Sequence, residues 1–157
     1  MGGYIMNPEN MKKTACLTII SSLLLCISCY SPGEESDPDR TSDPDLTPLS
    51  VFEDAFKNQK SNIQVKQVGS VTRVLSDDTV GDAHQRFIVK LENSQTLLIA
   101  HNIDIGQRVP GLIVGEKIKF YGEYEWNSEG GVVHWTHKDP SGAHIDGWIE
   151  YKRIKYQ

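Results

Sequence analysis

Residues 62–75 read NIQVKQVGSVTRVL, and this stretch decides the fold class. Apolar and polar side chains alternate along it, which is typical of a half-buried β-strand. Gly69 lies in its middle, where a bulge or a sharp bend would let one long strand pair with two neighbours. The stretch therefore predicts a long strand that connects two parts of a curved sheet.

The alternation of apolar and polar side chains continues through the rest of the chain. Further strands are predicted at HQRFIVKLE (84–92), QTLLIAHNI (95–103), EKIKFYGEYEW (116–126) and GVVHWTH (131–137), with a short final strand in DGWIEYKRIKY (146–156). Because closure removes exposed sheet edges, we predict a mainly β domain built as a small five-stranded barrel, closed or partly open, of the oligonucleotide/oligosaccharide-binding (OB) type. An SH3-like barrel or a small sandwich is the alternative.

A short helix is predicted before the first strand. The segment SVFEDAFKNQK carries Phe52, Ala55 and Phe56 at helical spacing. Ser50 and Glu53 have the spacing of a capping box. We expect this helix to dock its aromatic side on the barrel.

The N-terminal region has the pattern of a bacterial lipoprotein signal. Residues 11–29 read MKKTACLTIISSLLLCISC, two lysines followed by an apolar run that is too short to span a bilayer. A small serine before Cys29 resembles a lipobox, although Cys26 stands where leucine is usual. We predict a signal peptide over 11–28, a lipidated Cys29, and residues 1–10 as a start assigned too early. Secretion without a lipid, or an uncleaved anchor, is the alternative.

Residues 29–48 predict a disordered tether. They are rich in proline, and from residue 30 to 48 they hold six acids against the single base Arg40. The tether would join the membrane to one domain at 49–157, facing the periplasm or the cell surface. That domain carries 14 acids and 13 bases, so it lacks the basic excess that binding to nucleic-acid phosphates requires. Near-neutral charge favours a ligand such as a glycan or a peptide, or a partner protein of the envelope.

Four sequence blocks resemble a known family. They are DDTVGDAHQRFIVKL, LLIAHNIDIGQRVP, GEYEWNSEGGVVHWTH and DPSGAHIDGW. These blocks are similar to those of an uncharacterised bacterial family, domain of unknown function three-four-six-five. The resemblance covers about residues 62–157, and it implies one secreted β-domain without an established activity.

Three of the five histidines fall in GGVVHWTHKDPSGAH, residues 130–144. Successive side chains of a strand point to opposite faces, so we expect His134 and His137 to lie on different faces and not to bind one ion together. His137, Asp139 and His144 surround one turn, and they form the candidate trio for a divalent metal ion.

A second polar group lies near the start of the second strand. His84 and Arg86 follow the acidic turn SDDTVGD, and they are the candidate catalytic residues, with His84 moving a proton and Arg86 stabilising an anion. We favour the simpler interpretation that the turn is solvated and that Arg86 pairs with a neighbouring carboxylate. His101 is expected to be a hydrogen-bonded core residue.

Three functions follow from these patterns. The first is a non-enzymatic binding module, anchored by lipid in the cell envelope, whose ligand or partner surface comprises Trp126, His134, Trp135 and His137. The second is a metal-dependent hydrolase or nuclease that uses His84, Arg86, His137, Asp139 and His144. The third is a structural envelope protein. We favour the binding module.

Overall fold

The computed structural model describes residues 43–157. The predicted start segment, the signal peptide and Cys29 lie outside the described residues. In chain order the described elements are α1 (Leu49–Lys57), β1 (Ile63–Val74), β2 (His84–Lys90), β3 (Thr96–Asn102), β4 (Lys117–Glu125), β5 (Val132–His134), β6 (Trp148–Tyr151) and β7 (Ile154–Tyr156).

Five strands close into a barrel. Strand β1 pairs with β2 and with β4, both antiparallel, and the sheet runs β1-β2-β3-β5-β4 before it returns to β1. Strand β3 pairs with β5 in parallel, and β5 pairs with β4 antiparallel. The β6–β7 hairpin extends the sheet from β4. The predicted mainly β, closed barrel is confirmed, because a strand that closes the sheet on itself leaves no separate layers for a sandwich.

The long first strand changes partner near its middle, as the sequence predicts. Residues 63–70 pair with β4, and residues 70–74 pair with β2. The register shift, however, falls between Val71 and Arg73 and not at Gly69. Gly69 instead allows β1 to lie close to Val89 of β2, since a Cβ at this position would lie 3.0 Å from the Cβ of Val89.

Alternating side chains fill the barrel interior. Residues of all five barrel strands are almost fully buried, among them Val65, Val71, Phe87, Val89, Leu97, Ile99, Ile118, Phe120, Tyr124 and Val133. Burial of this apolar surface is the main source of stability for a domain without cysteine. The inward side of β4 matches the predicted alternation.

Helix α1 covers one end of the barrel. Phe52 and Ala55 are buried, and the ring of Phe52 meets that of Tyr124 edge to face at 6.1 Å. The predicted capping box is wrong. The N-cap residue is Pro48, and no side chain caps the helix, because the helix begins at Leu49 and takes Ser50 into its first turn.

The chain before the helix is held against the barrel. The hydroxyl of Thr47 accepts the Lys66 amide N–H at 2.9 Å, and Asp43 forms ion pairs with Lys66 and Lys119. Hydrogen bonds from Lys119 and Lys66 hold the pKa of Asp43 well below its usual range. The predicted disordered tether of residues 29–48 is therefore wrong for its last residues, 43–48, because their polar groups find partners on the barrel.

Strand β5 is shorter than the predicted segment 131–137. It ends at His134, since Trp135 adopts a φ of 50° in the left-handed region, which breaks the strand geometry. Thr136 and His137 then turn into the protein and are buried. The expected alternation of faces from Val132 to His137 thus holds only as far as His134.

No helix within residues 43–157 is long and apolar enough to cross a membrane.

Replacement of Gly122 by alanine should destabilise the barrel. A Cβ at this buried position of β4 would lie 2.4 Å from the carbonyl oxygen of His134 and 2.7 Å from Cγ2 of Thr136. Backbone on the adjacent strand cannot move cheaply, so we expect a loss of about 1–3 kcal/mol in the free energy of unfolding, measured by urea denaturation.

The matched control for this substitution is Gly81→Asn. A Cβ at Gly81 has no heavy atom within 4 Å, and asparagine tolerates its φ of 76°. We expect a change within about 0.5 kcal/mol. Equal losses in the two variants would contradict the close packing of β4 against β5.

Candidate functional site

The outer face of strand β4 carries a row of polar side chains. Phe120, Gly122 and Tyr124 face the interior, so Glu123 and Glu125 face outward. The register places His134 of β5 directly opposite Glu123 on one side, and Gln64 of β1 directly opposite on the other. One carboxylate therefore lies in the middle of a row that crosses three strands.

Two imidazoles approach the carboxylate of Glu123. Nε2 of His144 lies 3.0 Å from Oε2, and Nε2 of His134 lies 3.6 Å from Oε1. The Glu123 side chain is 19% exposed, so this cluster is only partly hydrated. We call Glu123, Glu125, His134 and His144 the outer-face cluster.

Trp135 joins this cluster to the barrel. Its ring stacks on His144 with the centroids 4.2 Å apart and the planes at 8°, and it also approaches His134 at 6.3 Å and His137 at 5.4 Å. A tryptophan at positive φ is an uncommon backbone state that costs about 1–3 kcal/mol. Tertiary contacts stabilise this geometry and keep the ring partly exposed.

The turn after β5 positions His144. The carboxylate of Asp139 accepts the amide N–H groups of Ser141, Ala143 and His144 at 2.7–2.9 Å. These hydrogen bonds, with that of the Ser141 hydroxyl, lower the pKa of Asp139 to about 2. Asp139 thus acts as the centre of a turn that presents the His144 ring to Trp135 and Glu123.

The hydrogen bonds of His144 define its protonation state. Nδ1 lies 3.0 Å from the carbonyl oxygen of Ile145, which can only accept, so Nδ1 carries a proton. A hydrogen bond from Nε2 to the carboxylate of Glu123 then requires a proton on Nε2 as well. Burial opposes the charge, but the hydrogen bonds to Ile145 and Glu123 outweigh it and raise the pKa of His144.

His134 differs from its neighbour. Burial lowers the pKa of His134, and the nearby charges of Glu123 and Glu125 offset this only in part. Its Nε2 atom is buried and has no hydrogen-bond partner. The ring is therefore held as a neutral imidazole, with Nε2 directed towards a carboxylate.

One set of three potential metal ligands occurs within the described residues: Glu123, Glu125 and His134, whose ligand atoms lie within 4.8 Å of one another. The predicted trio of His137, Asp139 and His144 is not such a set. The carboxylate of Asp139 accepts backbone hydrogen bonds within the turn, and Nδ1 of His137 lies 2.7 Å from the carbonyl oxygen of Lys138. The trio stays a prediction from sequence.

His101 is a core residue, as expected. It is fully buried, with Nε2 2.8 Å from the carbonyl oxygen of Gln107 and Nδ1 2.9 Å from the hydroxyl of Thr136. The carbonyl must accept, so Nε2 carries the proton and the Thr136 hydroxyl donates to Nδ1. Desolvation, with the adjacent His137 and nearby His84, lowers the pKa of His101.

The candidate catalytic pair takes part in local contacts. Arg86 donates to the carbonyl of Ser76 at 3.2 Å and pairs with Asp78 at 3.5 Å, which is the favoured interpretation of this arginine. Nδ1 of His84 lies 2.8 Å from the carbonyl oxygen of Asp82. These contacts hold the acidic turn against β2, and a catalytic role for the pair stays a prediction.

The predicted binding surface is divided by the fold. Trp126 packs against the core near α1, and its Nε1 donates to the carbonyl of Phe56 at 3.0 Å. His137 is 3% exposed. Among the described residues, the ring contacts of His134 and Trp135 are with each other and with neighbouring histidines, and none reaches Trp126.

The fold and the geometry of the outer face can now be set beside the family to which the chain belongs. The fold defines a small closed β-barrel with a helix over one end and a polar cluster on its outer face. Residues 41–157 match the model of a family described as "Protein of unknown function (DUF3465)", and the chain belongs to that family. The resemblance seen in the sequence is thereby confirmed. No curated protein matches the chain.

Thr136→Val should destabilise the domain. Valine keeps the shape but removes the hydroxyl that donates to Nδ1 of buried His101, so we expect a loss of about 1–3 kcal/mol in the free energy of unfolding. Urea denaturation measures it. The control is Thr72→Val at an exposed threonine, with an expected change within about 0.5 kcal/mol. Equal effects would contradict the buried hydrogen bond.

Acidification should destabilise the fold through His101. Its folded pKa lies below the ordinary value of 6.5, so the unfolded chain binds a proton more readily. Neutral His101 makes its full contribution to the free energy of unfolding above pH 6.5. This contribution is lost as the pH falls through the lower pKa of the folded state. Urea unfolding at two pH values should show a smaller change in His101→Gln than in the parent protein. An NMR titration midpoint of His101 above 6.5 would refute this assignment.

Proposed function

We propose that this protein is a lipid-anchored binding module of the bacterial cell envelope, and that the barrel face around Trp135 binds its ligand. The observation that carries the proposal is Trp135 itself. Its backbone is held at a φ of 50°, and its ring is partly exposed and stacked on His144. Strained backbone at a partly exposed aromatic residue is a frequent property of ligand sites.

The chemistry of this face favours a neutral or weakly charged ligand. Trp135 offers an aromatic surface, while the Glu123 carboxylate, the protonated His144 ring and the neutral His134 ring supply hydrogen-bonding groups. Aromatic rings with adjacent polar groups suit the apolar faces and hydroxyls of a sugar, and OB barrels include oligosaccharide binders. The balanced charge of residues 49–157 supports a glycan over a nucleic acid.

The anchor is supported by sequence alone. The basic and apolar segment at 11–28 precedes Cys29, and an acidic segment follows it before the barrel begins. Acyl chains on Cys29 would contribute about 0.8 kcal/mol for each buried CH₂ group, which is enough to hold the protein at a membrane. The barrel would then bind its ligand next to the envelope.

Cys29→Ser should abolish acylation. We expect metabolic labelling with a radioactive fatty acid to mark the parent protein and not the variant, and the variant to leave the membrane fraction. Cys26→Ser is the matched control, and it should retain the label. Undiminished labelling of the Cys29 variant would refute this part of the proposal.

Trp135→Ala should weaken ligand binding without unfolding the barrel. The probes are a panel of neutral oligosaccharides and a panel of short peptides, with binding followed by NMR shifts of the full-length chain. We expect oligosaccharide binding that falls about tenfold or more in the variant and is retained in Trp126→Phe. If peptides bind and oligosaccharides do not, the ligand is a peptide and not a glycan. Binding that is unaffected by Trp135→Ala would refute the proposed face.

A further inference from the structure

Two carboxylates on β4 stand close together, and among the ion pairs of the described residues the one protonated ring beside them is that of His144. Glu123 and Glu125 are two residues apart on the outer face, so their side chains point the same way. Among the ion pairs of residues 43–157, Glu123 meets only imidazoles, and neither carboxylate meets a lysine or an arginine. Two like charges in a partly buried position repel each other unless a cation compensates them.

Unpaired polar atoms flank the same carboxylate. Within the described residues, the buried side-chain nitrogen and oxygen atoms that lack a hydrogen-bond partner are Oε1 and Nε2 of Gln64 and Nε2 of His134. Both residues are cross-strand neighbours of Glu123, one on each side. Buried polar atoms without partners are uncommon, and a metal ion held between His134 and Glu123 would give Nε2 of His134 a partner.

The ligand atoms have spacings that suit a metal ion. In a tetrahedral zinc site with bonds of about 2.0–2.1 Å, the ligand atoms lie about 3.3 Å from one another. Nε2 of His134 lies 3.6 Å from Oε1 of Glu123, and Glu125 completes a set within 4.8 Å.

The orientation of Glu123 is already defined by its neighbours. Its Oε2 accepts the hydrogen bond from His144, which leaves Oε1 directed towards His134. Glu125 is oriented in a similar way, since its Oε1 accepts the amide N–H of Asn62 at 3.3 Å. One oxygen of each carboxylate is therefore held by a hydrogen bond, and the second oxygen of Glu123 faces His134.

We infer that Glu123, Glu125 and His134 bind one first-row transition metal ion, such as Zn²⁺, on the outer face of the barrel. One imidazole with two carboxylates suits such an ion better than Mg²⁺ or Ca²⁺, which prefer oxygen ligands only. Three protein ligands leave a coordination position open, as in zinc sites that bind water or a substrate group. The site shares Glu123 and His134 with the proposed ligand face, but metal binding by these residues does not depend on that proposal.

The test is Zn²⁺ binding by the full-length chain, measured by calorimetry and by metal content after dialysis. We expect one ion per chain and an affinity at least about tenfold weaker in each of Glu123→Gln, Glu125→Gln and His134→Gln. The matched controls are Glu53→Gln on the helix and Glu129→Gln in the exposed loop after β4, which should bind like the parent protein. The cysteines are the same in all variants, so any ion they bind cancels in the comparison.

Two further measurements distinguish loss of metal binding from unfolding of a variant and from failure of the proposed ligand face. Near-UV circular dichroism shows whether each variant retains its tertiary structure, and the three ligand variants give independent results if one of them unfolds. Paramagnetic Co²⁺ should quench the fluorescence of Trp135, whose ring is 6.3 Å from that of His134. Trp135→Phe should lose this quenching and keep its Zn²⁺ affinity, even though it alters the ligand face.

Zn²⁺ affinity that is equal in the parent protein and in folded ligand variants would overturn the inference. So would loss of binding in His137→Gln together with full binding in His134→Gln, because this result would assign the ion to the turn at residues 137–144.

Discussion

Strand β1 pairs with β4 through residues 63–70 and with β2 through residues 70–74, and the rest of the structure depends on this double pairing. The first part of β1 thereby pairs with one neighbour and its last part with another, which closes the sheet around the apolar interior. Closure also defines the register of every outward position. Glu123 lies between Gln64 and His134 only because β1 and β5 both align on β4 in this register.

The outer-face cluster arises where regular strand geometry stops. Strand β5 ends at His134, and the positive φ of Trp135 turns the next residues inward. Thr136 then reaches buried His101, while the turn centred on Asp139 brings His144 back over the Trp135 ring. The positive φ of Trp135 thus separates the buried hydrogen bond of Thr136 with His101 from the outer-face cluster. Both groups depend on where the three-residue strand β5 ends.

Much of the barrel was predictable from local pattern, and the site was predictable only in part. The alternation along β4 correctly assigned Glu123 and Glu125 to the outer face, and the register with β5 is the signal that could have linked them to His134. The contact of His144 with Glu123 has no such signal, because a turn without period decides it. Likewise, the capping box and the bulge at Gly69 failed because docking of the helix and closure of the barrel set the local geometry.

The sequence by itself determined the sheet architecture, the inward and outward sides of the long strands, and membership of the chain in its family. The sheet architecture and the sides of the strands depend on apolar periodicity, which acts over neighbouring residues and along the whole length of a strand. Family membership instead follows from the four characteristic sequence blocks. Only the tertiary structure decided which histidines are buried, which face a carboxylate, and where β5 ends. Those outcomes depend on contacts between residues far apart in the chain, such as Glu123 with His144 and His101 with Thr136, which no local pattern of the sequence encodes.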